Sequence, residues 1–305
     1  MIEGQRVLVT GATGQVARPL AEQLATRNET WAAARFSDPQ AKAELEALGI
    51  RTALFSMGDA ELDHLPDVDY VFHCGANVNP ATSEIALTQN AEGSGFLMQR
   101  YKDVKGFLHM SSSSVYRVAP SSTESIAEDH VLGGYSGYAP HYAMSKLAAE
   151  AVVRFQARAL GVPTIITRLD VAYGSRGHGG VPMIIYDFMK NGLTYTKSTK
   201  GDSYCSPIHE DDIAEQTQNL ILKAAVPAPT VNLGGDEVVS VEQIIAYVEG
   251  LTGLTMKVET GPEPSWGMKV LDNTLRKELG GPCKVSWKDG VRDALAKRHP
   301  DAITG

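Results

Sequence analysis

The chain has 305 residues, and its 43% hydrophobic and 21% charged residues are the mixture of an ordinary globular protein. A net charge of −8, without a long run of Lys or Arg, disfavours nucleic acid and anionic membranes as partners. The first residues do not form a signal-peptide pattern, and no apolar stretch approaches the ~18 residues that span a bilayer. The three cysteines show neither metal-ligand spacing nor a disulfide framework, so we expect no metal site and a cytoplasmic location.

Short apolar segments alternate with helical patterns along most of the chain. Strands are expected at residues 6–10, 30–34, 52–55, 68–74, 106–110 and 163–169. Helices are expected between them, for example at residues 19–26, 38–48 and 142–160. This alternation predicts an α/β fold, a Rossmann-type doubly wound parallel sheet with helices on both faces. Such sheets bind ligands outside the carboxyl ends of their strands.

The alternation becomes less regular after Gly174, which suggests a second, smaller lobe. We expect residues 1–174 to form an NADP-binding Rossmann domain. An apolar segment at 230–233 would add one more strand, so residues 206–237 are expected to return to that domain. Residues 175–305 would otherwise form mainly a substrate-binding lobe at the C-terminus.

A glycine-rich segment, residues 10–17 (Thr-Gly-Ala-Thr-Gly-Gln-Val-Ala), follows the first expected strand and precedes a helix. Glycine allows a tight turn and a close approach to a pyrophosphate, and the helix N-terminus supplies N–H donors. A second glycine-rich stretch, residues 174–180, has similar spacing, but no new series of strands follows it, so a turn is favoured there. The predicted cofactor loop comprises Gly11, Thr13, Gly14, Gln15 and Val16.

The residue after the second strand indicates which dinucleotide is bound. An acidic residue there would bind the ribose hydroxyls of NAD and repel a 2′-phosphate. This chain has Arg35 instead, and a guanidinium can hold a phosphate through paired hydrogen bonds. A solvated surface arginine is the alternative, and nearby Asp38 is expected to cap the next helix ahead of Pro39. The sequence therefore predicts NADP (NADPH) as the cofactor.

Three Tyr-x-x-x-Lys pairs occur in the chain, and any of them could be an ordinary pair one helical turn apart. They are Tyr101/Lys105, Tyr142/Lys146 and Tyr186/Lys190. Hydride chemistry needs a proton donor near the strand ends. Only the second pair follows a strand that ends in serines, residues 111–114, and begins a long helix, so we predict Tyr142 and Lys146 as catalytic. The adjacent His141 is a competing proton donor.

The proposed chemistry follows from the properties of these side chains. A free phenol has a pKa near ~10, which is too high for an efficient base at neutral pH. An ammonium one helical turn away favours the phenolate and lowers that pKa. A serine hydroxyl can then hold and polarise the substrate oxygen. A hydrogen-bonded polar loop is the alternative explanation of the serine run.

Taken together, these segments resemble the extended short-chain dehydrogenase/reductase superfamily, the NAD(P)-dependent epimerase/dehydratase group. The resemblance covers residues 11–17, 58–59, 71–76, 90–94, 111–116, 142–146, 168–174, 208–212 and 232–234. It implies that Ser112 is the catalytic hydroxyl and that Asp59 faces the adenine. It implies further cofactor contacts from Cys74, Gly75, Ala76, Asn90, Leu169 and Val171. It implies substrate contacts from Ser113, Asn77, Tyr173 and Cys205.

Two departures from the family pattern bear on the substrate. Nucleotide-sugar members usually have an asparagine where this chain has Val171, and an arginine that grips the substrate pyrophosphate where it has Cys205. A diphosphate needs such charge-assisted donors, although Arg176 or Lys200 could replace them. The segment at residues 34–39 instead resembles dihydroflavonol-reductase-like members, which prefer NADP.

The leading hypothesis is therefore an NADP-dependent reductase or dehydrogenase of a small or medium carbonyl or alcohol that lacks a diphosphate. The alternative is a sugar or nucleotide-sugar epimerase or dehydratase, which oxidises and re-reduces one bound substrate. A non-catalytic NADP-sensing protein is a third hypothesis, disfavoured by the complete Ser/Tyr/Lys set. The apolar face of the 142–160 helix further predicts a homodimer.

Overall fold

The computed structural model describes residues 1–117, 123–133, 139–262, 264–266 and 269–304. Its strands are β1 (Arg6–Thr10), β2 (Glu29–Ala34), β3 (Arg51–Leu54), β4 (Tyr70–His73), β5 (Gly106–Ser112), β6 (Ser125–Ile126), β7 (Thr164–Leu169), β8 (Ala172–Tyr173), β9 (Thr194–Ser198), β10 (Tyr204–Cys205), β11 (Ile208–His209), β12 (Thr230–Leu233), β13 (Val239–Ser240), β14 (Lys257–Gly261) and β15 (Val270–Leu271). Its α-helices are α1 (Ala17–Ala25), α2 (Pro39–Ala47), α3 (Ser83–Ala86), α4 (Gly93–Arg100), α5 (Pro140–Leu160), α6 (Val181–Lys190), α7 (Glu210–Leu220), α8 (Val241–Thr252), α9 (Thr274–Gly280) and α10 (Trp287–Arg298).

The main sheet has seven parallel strands in the order β12-β7-β5-β4-β1-β2-β3. Each strand expected from the sequence is present, with ends shifted by at most two residues, and the segment at 230–233 forms the edge strand β12. The strand order reverses at β1, which lies between β4 and β2. The fold is thus the predicted Rossmann-type α/β fold, and its crevice opens at the carboxyl ends of β1 and β4.

The alternation of side chains along each strand builds a hydrophobic core on both faces of this sheet. On β1, Val7 and Val9 belong to one buried cluster, which also contains Leu20 of α1. The intervening Leu8 belongs to the other cluster, which contains Val153 of α5. Because both faces are covered, the central strands are continuous apolar runs, as expected for a parallel sheet.

A third hydrophobic cluster is formed by the C-terminal part of the chain. It joins α6, α8 and α10 and includes Met183, Ile244 and Leu295. Pairs of short strands, such as β9 with β14, lie around it. Another pair, β6 with β15, joins this part of the chain to the segment that follows β5. Among the residues described, no helix has the length and apolar character needed to cross a membrane.

Candidate functional site

The first glycine turn is packed against the end of β4. Gly11 has a φ of +71°, and a Cβ there would lie 2.7 Å from the Cα of Gly75. The Gly14 N–H donates to the Gly11 carbonyl at 2.8 Å, which closes the turn before α1 begins at Ala17. Thr13 and Gly14 are exposed at the carboxyl edge of the sheet. Side chains at the glycine positions would fill the space around this turn, and their absence fits the close approach of a dinucleotide pyrophosphate.

The second glycine-rich stretch lies directly against this turn. Gly177 has a φ of +55°, and a Cβ there would lie 2.8 Å from the Cβ of Gln15. The Gln15 amide donates to the Ala172 carbonyl at 3.1 Å, so Gln15 joins the cofactor loop to the segment after β7. The stretch is a loop, as its sequence favoured, but its contact with the cofactor loop was not predicted.

Side chains from distant segments hold that second stretch in place. The Glu210 carboxylate accepts the Ser175 N–H and hydroxyl, both at 2.9 Å, and the Arg176 N–H at 3.1 Å. The Arg298 guanidinium of α10 donates to the carbonyls of Ser175 and Gly177 at 2.9 and 2.7 Å. Residues 174–180 therefore form a wall that faces the predicted cofactor loop, and side chains of α7 and α10 support it.

Arg35 lies where the sequence predicts, directly after β2. A pocket of about 290 Å³ is lined there by Thr13, Arg35, Phe36, Ser37, Asp38 and Ala41. The Asp38 carboxylate accepts the Gln40 N–H at 2.9 Å and caps α2, with Pro39 at its first position. Two predicted cofactor residues, Thr13 and Arg35, therefore line the same pocket.

A buried histidine connects the ends of β1 and β4. The Gly75 N–H donates to the Thr10 hydroxyl at 3.0 Å, and that hydroxyl lies 2.8 Å from Nδ1 of His73. On its other side, Nε2 of His73 lies 3.0 Å from the Ser94 hydroxyl, which donates to the Asn90 carbonyl. Burial, together with the Lys146 charge, lowers the pKa of His73 to about 3, so the ring is neutral. The chain of bonds fixes Gly75 and the loop after β4.

Asn90 connects this loop to α5. Its carbonyl oxygen Oδ1 accepts the Asn77 N–H at 2.8 Å, and its Nδ2 donates to the Asn77 carbonyl and to the Ser145 hydroxyl, both at 2.9 Å. Asn90 lies in a π-helical segment, Leu87–Glu92, a distortion that is frequent at functional sites. Asn77 and Asn90 therefore position α5, next to Lys146, and the sequence did not predict this role.

The adenine side of the predicted site depends on another close backbone approach. A Cβ at Gly93 would lie 2.6 Å from the Gly58 nitrogen, so α4 packs directly on the loop after β3. In that loop Asp59 is exposed, and its carboxylate accepts the Ser56 N–H at 3.0 Å. Cys74 and Ala76 are each partly accessible at the crevice beside buried Gly75.

The predicted catalytic residues lie at the carboxyl end of β5 and the start of α5. Lys146 is buried, and its Nζ donates to the Met110 carbonyl at 2.7 Å. Burial lowers the pKa of Lys146 to about 8, although Glu150 and Cys74 oppose the effect. Tyr142 is one turn earlier and partly accessible, and Ser112 is the last residue of β5. The Ser112 hydroxyl accepts the N–H and the hydroxyl of Ser114 at 3.2 and 2.9 Å.

The competing residues are engaged elsewhere. The His141 Nδ1 lies 2.9 Å from the hydroxyl of Ser83. The Tyr101 hydroxyl donates to the Pro66 carbonyl at 2.9 Å, and the Tyr186 ring packs on His299 with centroids 4.5 Å apart. Each of these contacts gives the side chain a structural role away from the end of β5.

The predicted substrate residues divide into two groups. The Ser113 hydroxyl donates to the Asp170 carboxylate at 2.8 Å, and the neighbouring Leu169 and Val171 are partly accessible. Tyr173 and Cys205 are 1% and 0% exposed within the C-terminal part of the chain. Their burial favours a packing role over the predicted substrate contact.

A buried ion pair holds α5 against β7, and no sequence motif predicted this pair. The Glu150 carboxylate accepts two hydrogen bonds from the Arg168 guanidinium, at 2.9 and 2.8 Å. The Ser111 hydroxyl donates to the same carboxylate at 2.7 Å. The Arg168 guanidinium lies over the Tyr116 ring, 4.6 Å from its centroid. Fully paired in this way, the charges hold the catalytic helix beside the end of β5.

Comparisons with known proteins agree with this fold. The family model described as "NAD dependent epimerase/dehydratase family" matches residues 7–234. The UDP-glucuronic acid 4-epimerase of Bacillus cereus, solved with NAD, is 21% identical, with a TM-score of 0.80 over 97% of this chain and 99% of that one. The UDP-glucose 4-epimerase of Thermotoga maritima, solved with UDP-glucose, is 22% identical, with a TM-score of 0.77 over 96% and 98%. No curated protein sequence matches the chain.

These findings correct the substrate prediction. The expected reductase of a small, diphosphate-free carbonyl or alcohol is wrong, because the similar structures are those of enzymes named for UDP-sugars, some solved with UDP-glucose or UDP-glucuronic acid. The error has a physical cause. The absence of an arginine at Cys205 was taken as the absence of a diphosphate site, but Cys205 is fully buried and its Sγ contacts the Val239 carbonyl. That position reports packing in this chain, and not the charge of its ligand.

Proposed function

Because the chain belongs to the NAD-dependent epimerase/dehydratase family, we propose that it oxidises and re-reduces a bound nucleotide sugar, as an epimerase or dehydratase does. One observation supports this most directly. The buried Lys146 ammonium donates to the Met110 carbonyl, and Met110 lies two residues before Ser112 in β5. Lys146 itself lies one helical turn after Tyr142 in α5. This is the arrangement that an alcohol oxidation at the crevice requires.

Each side chain has a distinct role in the proposal. Tyr142 takes the proton of the reacting sugar hydroxyl and later returns it. Ser112 holds the oxygen of that hydroxyl, and Lys146 favours the phenolate and binds the cofactor ribose. The nicotinamide, when bound, supplies reversible hydride acceptance. Neutral His73 and Asn90 keep the crevice in shape without exchanging protons.

Product analysis tests the reaction type. The holoenzyme is incubated with UDP-glucose or UDP-glucuronic acid, the products are separated by chromatography, and the oxidation state of the cofactor is followed by absorbance. We expect an isomerised or dehydrated sugar nucleotide without net consumption of NADPH. Stoichiometric NADPH consumption with a simple ketone or aldehyde, and no turnover of either sugar nucleotide, would refute the proposal.

NADP is the proposed form of the cofactor, supported by the pocket that Arg35 and Thr13 line. Arg35→Asp removes the phosphate donor and adds a repelling charge, so NADP affinity should fall by about 10- to 100-fold while NAD affinity stays equal or improves. Arg27→Asp is the control with the same charge change, because Arg27 is exposed and lies two residues before the opposite end of β2. Calorimetric titrations that show tighter NAD than NADP binding by the unaltered protein would reject this assignment.

A homodimer through α5 is the proposed assembly. The helix buries Ala149 and Val153 against the core, while Phe155, on another face, remains 68% exposed. An exposed aromatic side chain on an otherwise well packed helix favours a second copy as its cover. Sedimentation of the unaltered protein should give a dimer and that of Phe155→Glu a monomer. A monomer of 32.8 kDa for both would contradict the proposal.

A further inference from the structure

A lysine of the C-terminal region lies beside the serine segment at the end of β5. Lys269 directly precedes β15, which pairs in parallel with β6. Its Nζ donates to the Ser113 carbonyl at 3.2 Å. Ser113 is the neighbour of Ser112, so the ammonium lies one peptide away from the serine that we place on the reacting oxygen. Consecutive Cα atoms are only ~3.8 Å apart, so the carbonyl that holds the ammonium lies close to Ser112 along the backbone.

A carboxylate lies close to this ammonium but is occupied by other donors. The Ser113 hydroxyl donates to Oδ1 of Asp170 at 2.8 Å, and the Ser206 N–H donates to Oδ2 at 3.2 Å. Burial raises the pKa of Asp170, and the Lys269 charge opposes that rise. Among the described residues no ion pair within 4 Å joins Asp170 to Lys269. The carboxylate balances the lysine charge at a distance without accepting its hydrogen bonds.

Within the part of the chain that the structure describes, Lys269 keeps N–H donors without an acceptor. An ammonium carries three N–H groups, and the described residues supply one acceptor, the Ser113 carbonyl. Burial lowers the pKa of Lys269, again against the effect of Asp170. Lys269, Asp170 and Val171 each keep part of their surface accessible, so the cluster is in contact with solvent. A mostly buried cation with unused donors that still reaches solvent can take an acceptor from a ligand.

We propose that Lys269 binds a carboxylate on the sugar ring of the substrate, which makes the substrate a nucleotide-linked uronic acid. This inference rests on the proposed function. The position of the ammonium favours the sugar over the diphosphate, because Ser112 holds a hydroxyl of the ring and Lys269 reaches only the adjacent peptide. Lys269 thus determines specificity, and it takes no part in proton or hydride transfer.

Binding measurements test the inference without relying on turnover. The NADP-loaded protein is titrated calorimetrically with UDP-glucuronic acid and with UDP-glucose, which differ at the carboxylate. The unaltered protein should bind the acid at least ~10-fold more tightly, as expected for a charge-assisted hydrogen bond. Lys269→Met should lose that preference while its affinity for UDP-glucose stays the same, and Lys269→Arg should retain part of it. Lys102→Met, which removes an exposed lysine between α4 and the start of β5, is the matched control.

The outcomes separate the two proposals. If neither sugar nucleotide binds to a protein that still binds NADP, the proposed function fails. If both bind and Lys269→Met leaves their ratio unchanged, the proposed function stands and the role of Lys269 is refuted. Two further outcomes would also refute the role of Lys269. One is equal weakening of both ligands by Lys269→Met. The other is a thermal transition that Lys269→Met lowers and Lys269→Arg restores, with no change in ligand preference, because Lys269 would then only stabilise the Ser112 segment.

Discussion

The two glycine-rich stretches, residues 11–14 and 174–180, meet at the cofactor crevice but are built differently. The first is fixed by backbone alone, through the Gly11 turn and its contact with Gly75. The second is held by side chains from far along the chain, the Glu210 carboxylate and the Arg298 guanidinium. The turn of the first stretch is therefore a local structure that a short motif can specify. The facing wall is a tertiary structure, and its function depends on residues that no motif includes.

The largest expected effect tests whether the chemistry belongs to the sheet edge. Tyr142→Phe removes one hydroxyl at the start of α5, and because proton transfer by a positioned group contributes roughly 10²- to 10⁴-fold, kcat should fall by about that factor. Tyr186→Phe, in the C-terminal cluster, and Tyr101→Phe should leave turnover within a few fold. Rates are measured by conversion of the sugar nucleotide, with NADP binding confirmed by titration.

The variant His141→Ala tests the alternative proton donor in the same assay. Its ring is engaged by Ser83, so His141→Ala should be mild. If His141→Ala abolishes turnover while Tyr142→Phe keeps most of it, the proton donor is the histidine and the proposed roles at the sheet edge are wrong.

The next effect concerns the backbone contact of the first stretch. Gly11→Ala places a Cβ 2.7 Å from the Gly75 Cα, a contact that backbone cannot relieve cheaply, so NADP affinity should fall at least tenfold with a lower thermal transition. Gly49→Ala is the matched control, because Gly49 has a similar φ of +77° and open space around it. It should cost only the ~1–2 kcal/mol of left-handed strain and leave NADP binding intact. Equal effects on NADP binding would show that strain, and not close approach, defines the loop.

The same difference explains which parts of the molecule the sequence predicted. The strands of the sheet followed from apolar runs, and the cofactor loop followed from its strand–turn–helix context. The contact of Gly177 with Gln15 and the ion pair of Glu150 with Arg168 could not be predicted, because each joins segments whose approach only the folded chain defines. Cys205 shows the consequence for the substrate prediction, because the lack of an arginine there served as evidence about the ligand while the folded chain buries the position.

Lys146 gives a pH-dependent test of the sheet edge. Its ammonium has a pKa of about 8, so NADP affinity should be constant below that pH and fall by up to tenfold per unit above it. Unfolding linked to Lys146 cannot explain such a loss. The folded pKa lies below the ordinary lysine value of 10.5, so the unfolded chain binds more protons between those values, and this group's contribution to stability rises with pH there. His73, with a pKa of about 3, does not titrate in this range. Lys146→Met should remove the pH dependence, and a profile that persists in this variant would assign it to another group.

The smallest effect measures what the wall contributes. Arg298→Ala removes the donors that hold the Ser175 and Gly177 carbonyls, and with them the support of the loop against Gln15. Each lost hydrogen bond is worth ~0.5–1.5 kcal/mol, so NADP affinity should fall a few fold, with kcat unchanged once the cofactor is saturating. Arg158→Ala, at the exposed end of α5, is the control and should change neither. Because Gly177 contacts the cofactor loop through Gln15, an unchanged NADP affinity in Arg298→Ala would mean that the wall only borders the crevice, and that the backbone of the first stretch alone accounts for cofactor binding.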